Sequence, residues 1–534
     1  LNTSLPHDAS LAIETPAQKS PPMSVDHLFC VSFETSRRWF VVLFLFLVAW
    51  QAETGAADLR AGAAKIDITN RDAGPVNDTL YAKALVLDDG SGPVVLITVD
   101  AVAIGEIGPI GNSYLPEVRK QLKAELGIAP ERVVVNASHC HGIVCSDVAE
   151  RTVEVVKQAA KRLAKVKVGA GTGFENRISE NRRLKLKDGS EADVRHAYAM
   201  PRDEDVAEIG PIDPQIGLLR IDRLDGRPLA VVYNFACHPI IGTPSKGNTA
   251  DFPGFASQVI EENWGTDTIA LFVQGCAGDI NPATYKDVNS PRDAEPLGNL
   301  LGLSVLRALR KIEGKPEAAL KLVNLSVAIP RGRDLQSRID ANEKEVKRLV
   351  ASLGGTSLNF KTFLELQLKY NLSPEFPSYY SHRYELDKKL GRNDLSKLDE
   401  ENRANVKQYL ANIDAMERIS RLQVNAALLK KHLSQHEAAG NKDMELELVG
   451  LRVGDFRLVT FPAELTVEIG LNIKEKAAIE NAFVAGYTNG YIYYAPTAKQ
   501  RNNTGYAQED CDSLVGPDWQ EKFETKAIEV LKGL

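Results

Sequence analysis

The sequence predicts an α/β protein built on a mixed or parallel sheet sandwiched by helices, with an inserted helical hairpin. Three observations carry this reading. From about residue 60 to 325, short β-rich runs alternate with amphipathic helical patterns. Several of the runs, such as "PVVLITVD" (93–100), are apolar throughout, as in strands buried on both faces. Residues 330–440 switch to helical spacing among dense Lys, Glu and Arg.

Taken in order, "PVVLITVD" reads as a strand, and "YLPEVRKQLKAELG" as a helix closed by Gly127. "RVVVNAS" reads as the next strand. The helix in "SDVAERTVEVVKQAAKRLAKV" has Asp147 placed to cap it and Glu150 three residues on, with Val153, Val156, Ala160 and Leu163 on one face. "LAVVYNFACHP" and "TIALFVQGCAGDINP" follow, each a β-rich run that ends in small and polar residues. In such sheets ligands gather beyond the strand ends.

The insertion is expected to pair Leu335, Ile339, Val346, Leu349 and Leu353 with Val406, Leu410, Ile413, Met416 and Leu422, each set at helical spacing. Between them, the aromatic, Pro-broken "FPSYYSHRY" is expected to cover the site or line it with an apolar wall. The β pattern resumes at "MELELVGLRVGDFRLVTFPAEL", and a helix closes the chain at Leu534. The expected organisation is therefore a presequence (1–57), a catalytic domain in two parts (58–329 and 441–534) and the insertion (330–440).

The presequence carries a secretory pattern. Arg37 and Arg38 precede a dozen apolar residues, Trp39 to Trp50, with small residues at Gly55, Ala56 and Ala57. That run is shorter than the roughly 20 residues of a membrane span. Export is expected, periplasmic or secreted, with a membrane anchor as the outcome if the segment is not cleaved. Past it lie five cysteines, Cys140, Cys145, Cys237, Cys276 and Cys511, read as small buried hydrophobes rather than disulfides. A net charge of −7 with scattered Lys and Arg argues against nucleic-acid binding.

The chemistry-bearing residues sit at strand ends. In "NASHCHG" (136–142), His139 and His141 share one side of an extended backbone, so both imidazoles point to one place. His238 ends the run "NFACHP", with Asp251 downstream as a supporting carboxylate. Glu464 follows a strand and a proline in "VTFPAEL", where a carboxylate is costly to bury without a partner. Two histidines and a glutamate form a frequent catalytic zinc set, with an open position for water. Each also has an ordinary structural reading, as a hydrogen-bonded strand-end histidine or a helix-start glutamate, and spacing alone does not decide between them.

Five blocks give the sequence a specific resemblance. "NASHCHG" resembles the T-H-T-H-S-G block of the neutral, non-lysosomal ceramidase family, and "NFACHP" its F-A-x-H-P block. "FVQGCAGDINP" resembles its Q-S-N-x-G-D-x-S-P block, "FPAEL" its P-G-E-F block, and "GYTNGYIYYAPT" the segment with its metal-binding tyrosine. The opening "AGAAKIDIT" is similar to the family's start. The blocks keep family order over roughly 60–325 and 440–510.

The resemblance implies Zn²⁺ held by His139, His238, Glu464 and Tyr494, with Tyr491 or Tyr493 in Tyr494's place if the alignment slips. It implies His141 as proton shuttle or transition-state stabiliser. "ENRRLKLKDG" resembles the family's N-R-S block and implies that Arg182 contacts substrate. Where the family has serine this chain has Gly275, followed by Cys276. The expected reaction is therefore attack by zinc-activated water, with backbone N–H groups at Gly275 and its neighbours for the oxyanion.

The resemblance thus implies the catalytic part of such an enzyme, without the family's C-terminal β-sandwich domain. It would hydrolyse the amide of an N-acylated small molecule or lipid, in peripheral contact with a membrane. A zinc hydrolase for another ester or N-acyl substrate, or a binding protein that keeps the fold, are the alternatives.

Overall fold

A computed structural model describes residues 58–194, 201–265, 267–285, 287, 289–440, 442–505 and 507–534. The expected presequence lies outside the described residues. The main sheet has eight strands: β1 (Arg60–Asp67), β2 (Tyr81–Asp88), β3 (Val94–Val99), β4 (Val133–Ala137), β5 (Ala164–Phe174), β6 (Gln215–Arg223), β7 (Pro228–Phe235) and β8 (Ile269–Gln274). Their order is β8-β7-β6-β5-β1-β2-β3-β4. The sheet is mixed, as the sequence predicts. Its central pairs are antiparallel, and the parallel pairs β3–β4 and β7–β8 lie at the two edges.

A second sheet runs β9 (Leu320–Ile329), β10 (Met444–Val453), β11 (Phe456–Thr460) and β12 (Ala482–Ala485). The helices flanking the sheets are α1 (Tyr114–Leu126), α2 (Val148–Lys161), α3 (Asp251–Trp264) and α4 (Ala294–Leu309). Four more fill the insertion: α5 (Leu335–Ser352), α6 (Phe360–Leu372), α7 (Ser381–Lys389) and α8 (Asp394–Ala438). The chain ends with α9 (Val467–Ala477) and α10 (Trp519–Gly533).

Side-chain alternation assigns the layers. Val95, Ile97 and Val99 pack with Leu115, Val118 and Val156 of the helices above them. Leu85, Leu87 and Leu96 point the other way, against Leu451, Val453 and Phe456 of the second sheet. The outer face of that sheet, Leu448 and Val459, carries Ile473 and Phe523. On the β7–β8 side, Tyr233 and Phe235 pack with Phe252 and Val305. The layers are therefore helix, sheet, sheet, helix. One face of the predicted sheet is buried on another sheet rather than on helices, a difference that alternation within single strands does not reveal.

Local chemistry accounts for the element ends. Gly127 closes α1 in the left-handed region (φ 70°), with its N–H donating to the Lys123 carbonyl. Asp147 makes no side-chain cap on α2. Its carboxylate instead accepts from Arg151 Nε at 2.9 Å, so the predicted cap is an i,i+4 ion pair. At Gly62, β1 runs so close to α2 that a Cβ would lie 2.1 Å from the Ala159 carbonyl oxygen. All five cysteines are free.

Within the insertion, α5 and α8 pair through Leu349, Ala415, Ile419 and Leu422, with Leu335, Ile339 and Leu429 in a second cluster that includes Cys511. Leu410, Ile413 and Met416 from the predicted apolar set are instead exposed.

Candidate metal centre

The strand ends converge because the main sheet curls. Asn136, near the end of β4, accepts from the Gln274 N–H of β8 at 2.9 Å. Its amide donates to the Gly486 carbonyl and to Thr488 Oγ1, each at 2.9 Å. One buried side chain thus fastens both edges of the sheet to the segment after β12. The C-terminal ends of the two edge pairs open towards one point, and the metal-ligating residue types are there.

His139 comes two residues after β4, His238 three residues after β7, and Glu464 beyond β11. Their ligand atoms all lie within 4.8 Å of one another, and all three residues are buried. His238 Nε2 is 2.9 Å and His139 Nε2 3.5 Å from Glu464 Oε2. Each ring's other nitrogen is set by a backbone carbonyl: His139 Nδ1 lies 2.5 Å from Val102 O, and His238 Nδ1 3.0 Å from Ile280 O. A carbonyl only accepts, so each Nδ1 carries a hydrogen and each Nε2 is the nitrogen turned towards Glu464. His238 Nε2 lies at hydrogen-bond distance from that carboxylate, and it would offer its lone pair to a metal ion that displaces the shared proton.

Electrostatics favour the same state. Burial pushes the His139 imidazole down to about 4 against the pull of Glu464, which keeps the ring neutral. Burial alone would raise the Glu464 carboxyl. Positive charge on His139 and His238 when they are protonated, with the hydrogen bonds from His238 and Tyr491, outweighs it and holds the group well below the usual carboxylate range. Tyr491 donates to Glu464 Oε1, and Tyr487 donates to Oε2 at 3.3 Å. Two imidazole nitrogens and a buried carboxylate oxygen, this close and oriented from behind, fit a divalent metal ion.

His139 is held at φ 68°, and the neighbouring Asp251, Tyr487 and Tyr493 also have positive φ. Strained backbone of this kind collects where a geometry is held by its surroundings. A cavity of about 640 Å³ opens over the centre. His139, His238, Glu464, His141, Arg182 and Tyr494 all line it, so six of the seven residues singled out in the sequence share one site.

The six occupy it differently. His141 is exposed, its ring centroid 5.7 Å from that of His139. Tyr494 pairs with Glu464 in a two-residue parallel bridge, with the Arg182 guanidinium 5.6 Å from its ring centroid. Arg182 is buried, not on an exposed turn. It donates to Glu509 Oε1 at 2.6 Å, to Asn281 Oδ1 at 3.2 Å and to the Gly278 carbonyl.

Gly275 is the residue the fold does not bring to the site. It is absent from the cavity wall, and its N–H donates to the Phe235 carbonyl at 2.9 Å, so it cannot serve an oxyanion. The strand-end position is as predicted, but the amide is consumed in extending the β7–β8 pairing. Cys276 is buried against Gly470, and burial pushes its thiol far up. Asp251 accepts from the N–H groups of Gly242 and Phe252, at 2.6 and 2.8 Å.

Nor does the aromatic segment 374–385 line the cavity. Its Tyr384 and Ser378 hydroxyls donate instead to Asp399 of α8. The insertion reaches the site through the end of α8, where Lys431 lines the cavity and His432 Nε2 meets Asp512 Oδ1 at 2.8 Å. Sequence reading missed Tyr487, Glu509, Lys431 and Asp512. Only the acidic pair Glu509–Asp510 beside a strand-rich segment offered a signal, since buried arginines need such partners.

No protein-family model and no curated protein sequence matches the chain. Among solved structures it is similar to neutral ceramidase from Pseudomonas aeruginosa, at TM-score 0.54 and 16% identity over 89% of this chain and 74% of that one. A ceramidase complexed with C2 aligns at TM-score 0.55 and 16% identity, over 89% and 75% of the two chains. The protein therefore has the neutral ceramidase fold, with a buried two-histidine, one-glutamate centre at its strand ends.

Proposed function

We propose that this protein is an exported, zinc-dependent amidohydrolase that cleaves an N-acylated, lipid-like substrate. The observation that carries the reading is the convergence of His139, His238 and Glu464, each imidazole fixed at Nδ1 by a backbone carbonyl, at the base of an open cavity. The shared fold supports the reaction class, because the proteins of similar structure are ceramidases.

In this reading His139, His238, Glu464 and Tyr494 would hold zinc, which when bound would supply electrophilic activation of the carbonyl and of water. The chain does the rest. The Val102 and Ile280 carbonyls hold the two ligand rings, and Tyr491 and Tyr487 fix the carboxylate. His141, at the exposed edge beside His139, carries the proton from water to the leaving amine. Val102, Ile107, Ile143, Pro239 and Ile240 give the cavity an apolar wall suited to an acyl chain.

No serine or cysteine stands among the described residues lining the cavity, and the one threonine there, Thr249, donates its hydroxyl to Asp78, which favours water as the nucleophile. Arg182 lines the cavity and is braced by Glu509, which fixes its guanidinium in the wall that a substrate would meet. No helix among the described residues is long and apolar enough to cross a membrane.

The test is metal analysis of the purified protein, followed by turnover of N-acyl and O-acyl substrates with and without added Zn²⁺. About one zinc per chain, with amide cleavage lost in His139→Ala, supports the reading. Ester cleavage alone moves it to another hydrolase. Zinc-free protein whose behaviour is unchanged in His139→Ala and Glu464→Ala would make it a binding protein.

A further inference from the structure

The cavity mouth carries three cations that the proposed reaction does not use. Lys246, Arg292 and Lys431 line the same cavity as His139 and Glu464, and all three are exposed. No ion pair among the described residues engages any of them. Two are held in place by aromatic rings. Lys431 Nζ stands 4.0 Å from the Tyr493 ring centroid, and the Arg292 guanidinium 4.9 Å from that of Tyr285.

The helix bearing Lys431 is tied down in the turn that follows it. His432 meets Asp512, and Gln435 donates to the Tyr493 hydroxyl at 3.1 Å. The acidic groups on the wall do not answer these cations. Asp251 accepts from backbone N–H groups, Asp512 is engaged by His432, and Glu464 belongs to the metal centre. The mouth therefore carries three cations outside any ion pair among the described residues, two of them positioned, beside an apolar wall.

Resting on the hydrolase reading above, we propose that the substrate carries an anionic group on the amine side of its amide, and that Lys431, Lys246 and Arg292 bind it. The substrate class is an N-acylated amphiphile with a carboxylate or a phosphate, not a neutral N-acyl lipid. The apolar wall takes the acyl chain, and the cations fix the charged end so that the amide lies over the metal centre. The insertion then acts as a specificity element through one residue, Lys431.

Binding and turnover are read separately, using the zinc-supplemented full-length protein. Calorimetry compares N-octanoylglycine, N-octanoylethanolamine phosphate and neutral N-octanoylethanolamine, all below their micellar concentrations. The anionic ligands should bind at least about tenfold tighter than the neutral one, and Lys431→Met should erase about tenfold for them alone. The tighter of the two identifies carboxylate or phosphate as the group. Lys431→Arg should restore the preference, which separates lost charge from lost packing.

Equal binding of charged and neutral ligands, no binding of any, or a Lys431→Met protein that keeps the preference would overturn the proposal. So would a preference seen only as association with anionic phosphatidylglycerol vesicles, since the cations would then serve a membrane surface. Selective binding without cleavage of any ligand would leave this proposal standing and remove the hydrolase reading instead.

Discussion

Glu464 Oε2 lies 2.9 Å from His238 Nε2, although the two residues come from different sheets. With neutral imidazoles around it, this buried carboxylate needs a cation to offset its desolvation. Glu464→Gln keeps the shape and removes the charge. Zinc content after dialysis should fall to a small fraction of wild type, below about a tenth, by atomic absorption.

Tyr491 donates to the carboxylate oxygen that His238 does not meet. Tyr491→Phe leaves every proposed nitrogen and carboxylate ligand in place but frees Glu464 to turn. Chelator competition should show metal affinity reduced by about ten- to a hundredfold, with the circular dichroism spectrum unchanged.

Arg182 and Glu509 form an ion pair inside the wall, both almost fully buried. Arg182→Met should destabilise the fold in urea titrations, by less than the roughly 3–5 kcal/mol of a fully orphaned buried charge, because Arg183 Nη2 stays 3.7 Å from Glu509 Oε2. Adding Glu509→Gln should recover part of that loss. If Arg182 acted only on substrate, single and double variants would unfold like wild type.

Metal removal should also register in stability. A ligand that binds only the folded state raises Tm, so excess EDTA should lower it and one equivalent of Zn²⁺ should restore it. The Glu464→Gln protein should show neither change in differential scanning calorimetry.

Asp251 gives a prediction in pH. Burial, with the nearby charge of Asp78, raises its carboxyl to about 7, against the Gly242 and Phe252 N–H bonds. The folded chain thus holds a proton that the unfolded chain releases near pH 4. This contribution is complete below about pH 4 and is lost as pH rises through 7. Asp251's share of denaturant stability should fall across that window, while His139 and His141, each pushed down to about 4 mainly by burial, work in the opposite sense. Asp251→Asn should flatten its share of the slope. Asp100, Asp279 and Asp510, each raised to about 6 mainly by burial, supply the remainder.

Much of the centre was legible in the sequence because His139, His238 and Glu464 each follow an apolar run, and a buried strand aims what comes after it. Tyr494 was legible only through resemblance, since nothing in its own neighbourhood distinguishes it from Tyr491 or Tyr493. Gly275 was misread because sequence marks the strand end but not the direction of its N–H. That direction is set by register with Phe235. The helical periodicity of α5 and α8 was plain. Lys431 at the cavity was not, because where a 45-residue helix ends in space depends on packing at its far end. The second sheet escaped for a related reason: its partners are contributed from both sides of the insertion.

The clasp made by Asn136 has a consequence for the order of assembly. A metal pocket drawn from both edges of a curled sheet and from a late segment of chain has high contact order, and it forms only when distant parts have docked. During synthesis, His139 and His238 emerge long before Glu464, and the strand bearing Asn136 before its partners Gly486 and Thr488. Tight metal capture would then coincide with completion of the fold, and a chain stalled before β11 would release its ion.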